Sequence, residues 1–388
     1  MNCYGFNFTW FEIGAFGFLL LMFIYQCYFY IRYIGGVLRK SRNEKKSKIS
    51  FITELPPVSV IICAKNEEEN LRKFLPFVFD QDYPDFEVIV INDGSSDNTG
   101  FFLDQLKKDE PRLKTTFVPM EATNKSTKKL GITLGVKAAK NDILILTDAD
   151  CMPEDKTWLR QMARNFDNNT EFVLGYGAYF NKESSFLNKL ISYETLFIGL
   201  QYMGMALAGK PYMGVGRNLA YRKSAFMKYN GFASSLNLRS GDDDLIINQH
   251  AHKDNTRVEC APDSITWSEP KRNFTDWYFQ KKRHLSISGH YSLKSKWRLS
   301  VEPFTRFWFY LAFIACLCTG NWITFGASIL LFIIRYGLIM SYINKSANHF
   351  GEKKHYFTIL IFDILLPLIT ANFLLFDKKI SYKTGSWK

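Results

Sequence analysis

Val58-Ser-Val-Ile-Ile-Cys63 decides the fold. A strand that is apolar on both faces belongs to a parallel sheet covered by helices on either side. Two more runs of this kind follow, Phe86-Glu-Val-Ile-Val-Ile91 and Asp142-Ile-Leu-Ile-Leu-Thr147. Between the first two, residues 67–79 carry Leu71, Phe74, Leu75 and Val78 at helical spacing. Strand, helix, strand in that order predicts an α/β, Rossmann-like sheet flanked by helices, over residues 49–301.

Outward from this core the chain becomes apolar. Residues 13–31 carry no charge, and about 20 such residues cross a bilayer core. No basic n-region or small-residue cleavage site precedes them, so the segment reads as an anchor. Arg39, Lys40, Arg42, Lys45, Lys46 and Lys48 follow directly, which predicts a cytoplasmic flank and an outward N-terminus over residues 1–48. Residues 302–388 predict further transmembrane helices: a hairpin over 303–319 and 322–343, and a third candidate over 356–376 that carries Asp363 and Pro367. Four spans would put the tail (Lys378, Lys379, Lys383, Lys388) outside, against the positive-inside tendency, while three would put it inside but export Lys345, Lys353 and Lys354. Arg335 lies inside a span, with Asp363 as a candidate partner. Residues 186–207 are apolar but broken by Lys189 and Glu194, and read either as a core helix or as a helix on the membrane roofing an acceptor channel.

The chain has 388 residues, a net charge of +12 and seven cysteines. The cysteines form no CxxC pair, which fits reduced thiols. A basic chain favours an anionic partner, and without zinc-finger spacing or an RNA-binding aromatic signature that partner is a membrane face or a phosphorylated ligand, not nucleic acid.

Ligands of open parallel sheets bind beyond the carboxyl ends of the strands. Three polar clusters occupy those ends: Ala64-Lys65-Asn66-Glu67, Asn92-Asp93-Gly94-Ser95-Ser96-Asp97 and Asp148-Ala149-Asp150. Each alone reads as a turn or helix cap. Three in succession read as a site, because strand ends do not need acids to fold. Asp-x-Asp offers hard oxygen ligands suited to Mg2+ or Mn2+ and, through the ion, to phosphate. Asp242-Asp-Asp244 places three carboxylates together, and their repulsion raises the proton affinity of at least one, as a general base requires. The same acids also suit a helix N-terminus.

In this order, VSVIICAKNEEENL, INDGSSDNT, TDADC, SGDDDL and QKKRH resemble the membrane-bound branch of glycosyltransferase family 2, over residues 57–291. The resemblance implies a GT-A fold with a mixed sheet. It also implies an inverting transfer of sugar from a nucleotide-diphosphate donor, typically a UDP-sugar, to a lipid-linked or saccharide acceptor at the cytoplasmic membrane. Ala64, Glu67 and Asp93 would line the nucleotide pocket, Lys128 would face the donor, and Asp148 and Asp150 would hold diphosphate and metal. Gly214, Gly216, Asn218 and Tyr221 match the acceptor-side loop. Aligned on Leu245, the catalytic acid is Asp242, with Asp243 the alternative, and Gly241 stands where the family has Glu. Gln280, Arg283 and His284 match a Q-x-x-R-W element, with His in place of Trp; that departure bears on long-chain processive synthesis. The same segment also reads as a basic amphipathic helix on the membrane. A processive polysaccharide synthase, or an inactive scaffold that binds nucleotide sugar, are the alternatives.

Overall fold

The computed structural model describes residues 2–3, 6–7, 9–119, 126–180, 185–238 and 240–375. The tail lysines lie outside them. A short pair, β1 (Asn2–Cys3) and β2 (Phe6–Asn7), precedes α1 (Trp10–Phe29). A capping box starts α1: the Glu12 N–H donates to Thr9 Oγ1 at 3.2 Å, and the Thr9 N–H donates back to the Glu12 carboxylate at 2.7 Å. A π turn (Tyr30–Ile34) leads into α2 (Gly36–Lys45).

The α/β layer follows as β3 (Val58–Ala64), α3 (Glu68–Phe79), β4 (Phe86–Asp93), α4 (Thr99–Asp109), β5 (Leu113–Val118), α5 (Thr127–Ala138) and β6 (Ile143–Asp148). Next come β7 (Cys151–Pro153), α6 (Trp158–Ala163), β8 (Phe172–Leu174), β9 (Gly177–Tyr179), α7 (Phe186–Leu207), β10 (Leu219–Arg222), α8 (Lys223–Lys228), α9 (Asp244–His250), β11 (Thr256–Val258) and β12 (Thr266–Ser268). The main sheet has strand order β11-β8-β10-β6-β3-β4-β5. It is parallel from β6 to β5, while β10 runs antiparallel to β6 and β8, so the sheet is mixed. A smaller sheet, β7-β12-β9, stands beside it.

Every residue of β3 is buried. Ile61, Cys63, Ile89 and Ile91 pack toward α5 and α7, while Val60, Ile62, Val88 and Val90 pack toward α3 and α6. The continuous apolar runs are explained by this covering on both faces. At about 1.5–3 kcal/mol per buried aliphatic side chain, the two faces supply most of the driving force for the layer.

After β12 the chain continues as α10 (Phe274–Ser288), α11 (Leu293–Leu317), α12 (Trp322–His349) and α13 (Phe357–Leu375). Two helical stretches, 10–34 and 322–349, are long and apolar enough to cross a membrane. The division at 301/302 falls inside α11. α7 is buried on nearly all sides. It crosses the turn before α2 so closely that a Cβ on Gly204 would overlap the Tyr33 carbonyl. It is a core helix between the sheet and the apolar helices, which excludes the reading of α7 as a helix lying free on a membrane.

A charge-balanced polar network ties four helices together. Arg335 of α12 meets Asp363 of α13 at 2.6 Å and donates to Gln26 Oε1 of α1 at 2.9 Å. Gln26 in turn donates to Thr305 Oγ1 of α11 at 2.9 Å, and Arg306 bridges Glu302 at 2.5 Å and Asp363 at 3.3 Å. The carboxyl end of α12 returns to the α/β layer, where His349 Nε2 lies 2.8 Å from the Cys260 carbonyl and Phe350 stacks on Tyr176 at 4.6 Å. Both ends of α13 also lie against that layer. His355, just before it, contacts Tyr193, and Phe373 packs on Tyr278 of α10.

Candidate active site

Because β3, β4 and β6 are parallel, their carboxyl ends share one edge, with Ala64 opposite Asn92 and Cys63 opposite Asp148. β10 opposes β6 with Leu219 beside Leu146, so the turn before it, Gly216 to Asn218, returns to the same edge. Ala64 is buried beneath that edge. The first two loops lace together: Asn66, in a left-handed conformation (φ 53°), accepts the Ser96 N–H at 2.7 Å. Asp97 accepts the Thr99 N–H at 3.0 Å, so this part of the second cluster is a turn and cap. Asp93 is buried and accepts from Thr127 Oγ1 at 2.6 Å. Glu67 is buried too and accepts from Asn70 Nδ2 at 2.5 Å.

Lys128 sits at the centre. Its ammonium is 2.9 Å from Asp148 Oδ1 and 3.3 Å from Asp242 Oδ2. Burial alone would weaken its hold on the proton, but Asp148, Asp242 and Asp243 overcome this and keep it charged. Asp150 is pushed up to about 6 by burial, then by Asp148 and Glu67. Carboxylate oxygens of Asp148 and Asp150 and the Cys151 sulfur lie within 4.8 Å of one another. The Cys151 thiol is buried against Ser268 Oγ at 3.0 Å, and burial raises its pKa. The donor set available to an ion is therefore two hard oxygens, which fits Mg2+ or Mn2+.

The three adjacent acids have different surroundings. Asp243 accepts the Gly216 N–H at 2.7 Å and the Asp244 N–H at 3.0 Å, and burial followed by repulsion from Asp242 pushes it up to about 6. Asp244 accepts from Tyr291 OH at 2.8 Å, and burial and Asp243 push it well above the carboxylate range. Burial would raise Asp242 as well, but Lys128 and the local backbone N–H outweigh it and hold this carboxyl low. The expected rise in proton affinity thus falls on Asp243 and Asp244, whose oxygens are tied down, and not on Asp242. Asp242 is the ionised carboxylate facing the edge. Gly241 has φ 86°, and a Cβ there would come within 2.9 Å of Ile287 in α10, so the family's Glu does not fit this backbone.

Of the residues expected on the acceptor side, Gly216 reaches the acid segment through its N–H to Asp243. Asn218 does not face the edge. It is fully buried, donates to the Tyr176 and Ser264 carbonyls at 2.9 and 2.8 Å, and accepts from Trp158 Nε1 at 3.1 Å. Gln280 of α10 donates to Tyr179 OH at 3.2 Å. The Arg283 Nε is buried with no hydrogen-bond partner among the described residues. The His284 ring reaches solvent yet is crowded by protein, and that crowding together with Arg283, Lys281 and Arg217 keeps it neutral. α10 also bridges Lys281 to Glu194 of α7 at 2.7 Å, so it packs against the domain.

Two residues that sequence reasoning passed over belong here. Arg217 stacks 4.1 Å over Tyr179 and donates to the Gly177 and Ala178 carbonyls at 2.9 and 3.0 Å, with its charge acting on Asp148 and Asp150. Lys129 lies buried beneath the acid segment. The signal for Arg217 was its place beside the acceptor-loop glycines. Lys129 gave none beyond its neighbour Lys128.

The family model described as glycosyl transferase family 2 matches residues 59–229, which carry the three strand-end clusters. Residues 59–229 thus carry a family 2 glycosyltransferase domain. The probable glycosyltransferase YdaM of Bacillus subtilis is 26% identical over 287 residues, covering 69% of this chain and 66% of its own length. Poly-beta-1,6-N-acetyl-D-glucosamine synthase of Staphylococcus epidermidis is 27% identical over 262 residues, 65% of this chain and 60% of its own. The chain thus spans about two thirds or less of these relatives. Mannosyltransferase PcManGT from Pyrobaculum calidifontis, solved with GDP-Man and Mn2+, superposes with a TM-score of 0.57 at 18% identity, covering 94% of this chain and all of that one. The family 2 domain therefore has the GT-A fold expected of it, with the mixed sheet at its centre.

Proposed function

We propose that the chain transfers a sugar, with inversion, from a nucleotide-diphosphate donor, a UDP-sugar, to a lipid-linked or saccharide acceptor at the membrane surface. The observation that carries this is Lys128, whose one ammonium joins Asp148 of the donor motif to Asp242 of the base segment. Donor-side and acceptor-side chemistry thereby meet at one point.

Glu67 and Asp93 would bind the nucleoside over Ala64. Lys128 would move to the diphosphate once donor arrives, and Arg283 would lend a second positive charge. Asp148 and Asp150 would hold Mg2+ or Mn2+, which supplies Lewis-acid neutralisation of the leaving diphosphate. Asp242 would take the proton from the acceptor hydroxyl as that oxygen attacks the anomeric carbon and the bond to the diphosphate breaks. Gly216, Gln280 and His284 would shape the acceptor side, and Asn218 would support them from behind.

Residues 1–48 and 302–388 would anchor a 49–301 catalytic domain on the cytoplasmic face, as the basic flank after α1 supports. The return of α12 and of both ends of α13 to the α/β layer favours three crossings, two by the full-length spans of α1 and α12 and one by the shorter apolar carboxyl half of α11. Lys345, Lys353 and Lys354 would then stay on the domain side. The test is a panel of UDP- and GDP-sugars with detergent-solubilised protein and Mn2+, with and without membrane lipid, following nucleotide release. An inactive scaffold would release nothing from any donor.

A further inference from the structure

Lys129 is a buried cation that the proposed reaction does not use. Its side chain has no carboxylate among its described hydrogen-bond partners. The ammonium donates to the carbonyls of Ser235 at 2.7 Å and Leu238 at 3.1 Å, closing the turn that leads into the Asp242 segment. Its own backbone is fixed. Ser126 Oγ caps the Lys129 N–H, and the Lys129 carbonyl accepts from Thr133 Oγ1 at 2.7 Å. α5 is also tight against the sheet: a Cβ on Gly135 would come within 2.6 Å of Ile91, and one on Gly131 within 3.0 Å of Cys63. Lys129 thus projects from a rigid element. The segment it holds has two further attachments, Gly241 against Ile287 and Asp243 on the Gly216 N–H.

We propose that Lys129 is a positioning residue for the base, holding the 235–238 turn against α5 and so setting how far Asp242 reaches toward the acceptor hydroxyl. This rests on the assignment of Asp242 above. Lysine suits the task because one ammonium presents several donors and can serve two carbonyls at once, and its charge strengthens both bonds. The charged groups acting on it are Asp242 and Asp243, both of the segment it holds, and both favour its charged form. Burial outweighs them and lowers its pKa to about 8. The sign follows: the clamp is charged and strong below that value, and it weakens to a neutral amine above it.

Two arms test this on the full-length protein in detergent. In the first, Lys129→Met is compared with wild type for UDP binding with Mn2+ and for turnover of the most active UDP-sugar of the panel. The expected variant binds UDP as wild type does and loses about ten- to a hundredfold in kcat, the scale of a small misplacement of a catalytic group. It also lacks the fall in kcat that wild type shows as pH rises through about 8. Wild-type kcat in the variant, or a lowered kcat with that alkaline limb intact, overturns the proposal. The second arm needs no variant and decides if Lys129→Met does not fold. Hydrogen exchange of wild type, corrected for its intrinsic pH dependence, is expected to rise in peptides covering 235–243 as pH passes about 8, while β3 and β4 stay protected. Constant protection of 235–243 overturns the proposal. A wild type that turns over no donor sinks the functional reading instead, and leaves the exchange arm to decide the clamp.

Discussion

Asp242→Asn should separate catalysis from binding. Lys128 pairs at the edge with Asp148 at 2.9 Å and Asp242 at 3.3 Å. The asparagine removes one of them and leaves the shorter contact in place. Lys128 is then, if anything, more available to a diphosphate, so UDP affinity should stay within about threefold of wild type, less than the 1.4 kcal/mol of a tenfold change. Turnover should behave differently. A positioned base contributes roughly 10²–10⁴-fold, or about 3–5 kcal/mol of barrier. Asp243→Asn is the control. Its carboxylate accepts two backbone N–H groups, and an amide keeps only one acceptor oxygen, so this variant should lose about 1–3 kcal/mol of stability along with any activity. The assays are UDP release, calorimetric UDP binding and thermal unfolding. Near-normal turnover in Asp242→Asn refutes the base assignment, most decisively if Asp243→Asn is inactive at unchanged melting temperature.

Asp150→Ala should abolish both turnover and Mn2+ binding read by paramagnetic resonance. In wild type, Mn2+ affinity should fall about tenfold per pH unit below about 6, because Asp150 must lose its proton to ligate and is pushed up to that value. Restoring the family's acid with Gly241→Glu should lower stability by about 1–3 kcal/mol and reduce activity, since φ 86° and Ile287 at 2.9 Å oppose any Cβ; a gain in activity would contradict the geometry. Arg335→Met removes one partner of a buried pair with Asp363 and should cost about 3–5 kcal/mol, seen as a lower melting temperature in detergent.

The sheet was legible because β3, β4 and β6 are apolar on both faces, a pattern few other environments produce. The three-residue strands β7, β9 and β12 were not, since so short a segment shows no period. Motif order singled out Asp148, Asp150 and Asp242, and the fold brings them to one sheet edge. The low proton affinity of Asp242 was not legible, since it depends on Lys128, which reaches it from α5. Asn218 sits in a recognisable loop, but whether a side chain faces ligand or backbone depends on the packing around it, and here Trp158, Tyr176 and Ser264 surround its amide. Lys129 and Arg217 bind carbonyls, which every residue carries, so no pairing of residue types announces them. Arg335 with Asp363 was traceable, because two opposite charges in apolar helices must find each other.

That last pair sets an order on biogenesis. Asp363 follows its partners in the chain: Arg306, Arg335 and the bridging Gln26 all leave the ribosome before it. Until translation reaches α13, Arg306 and Arg335 have Glu302 as their acid partner among the described residues of this network. A product truncated before α13 would keep the excess positive charge in its interior.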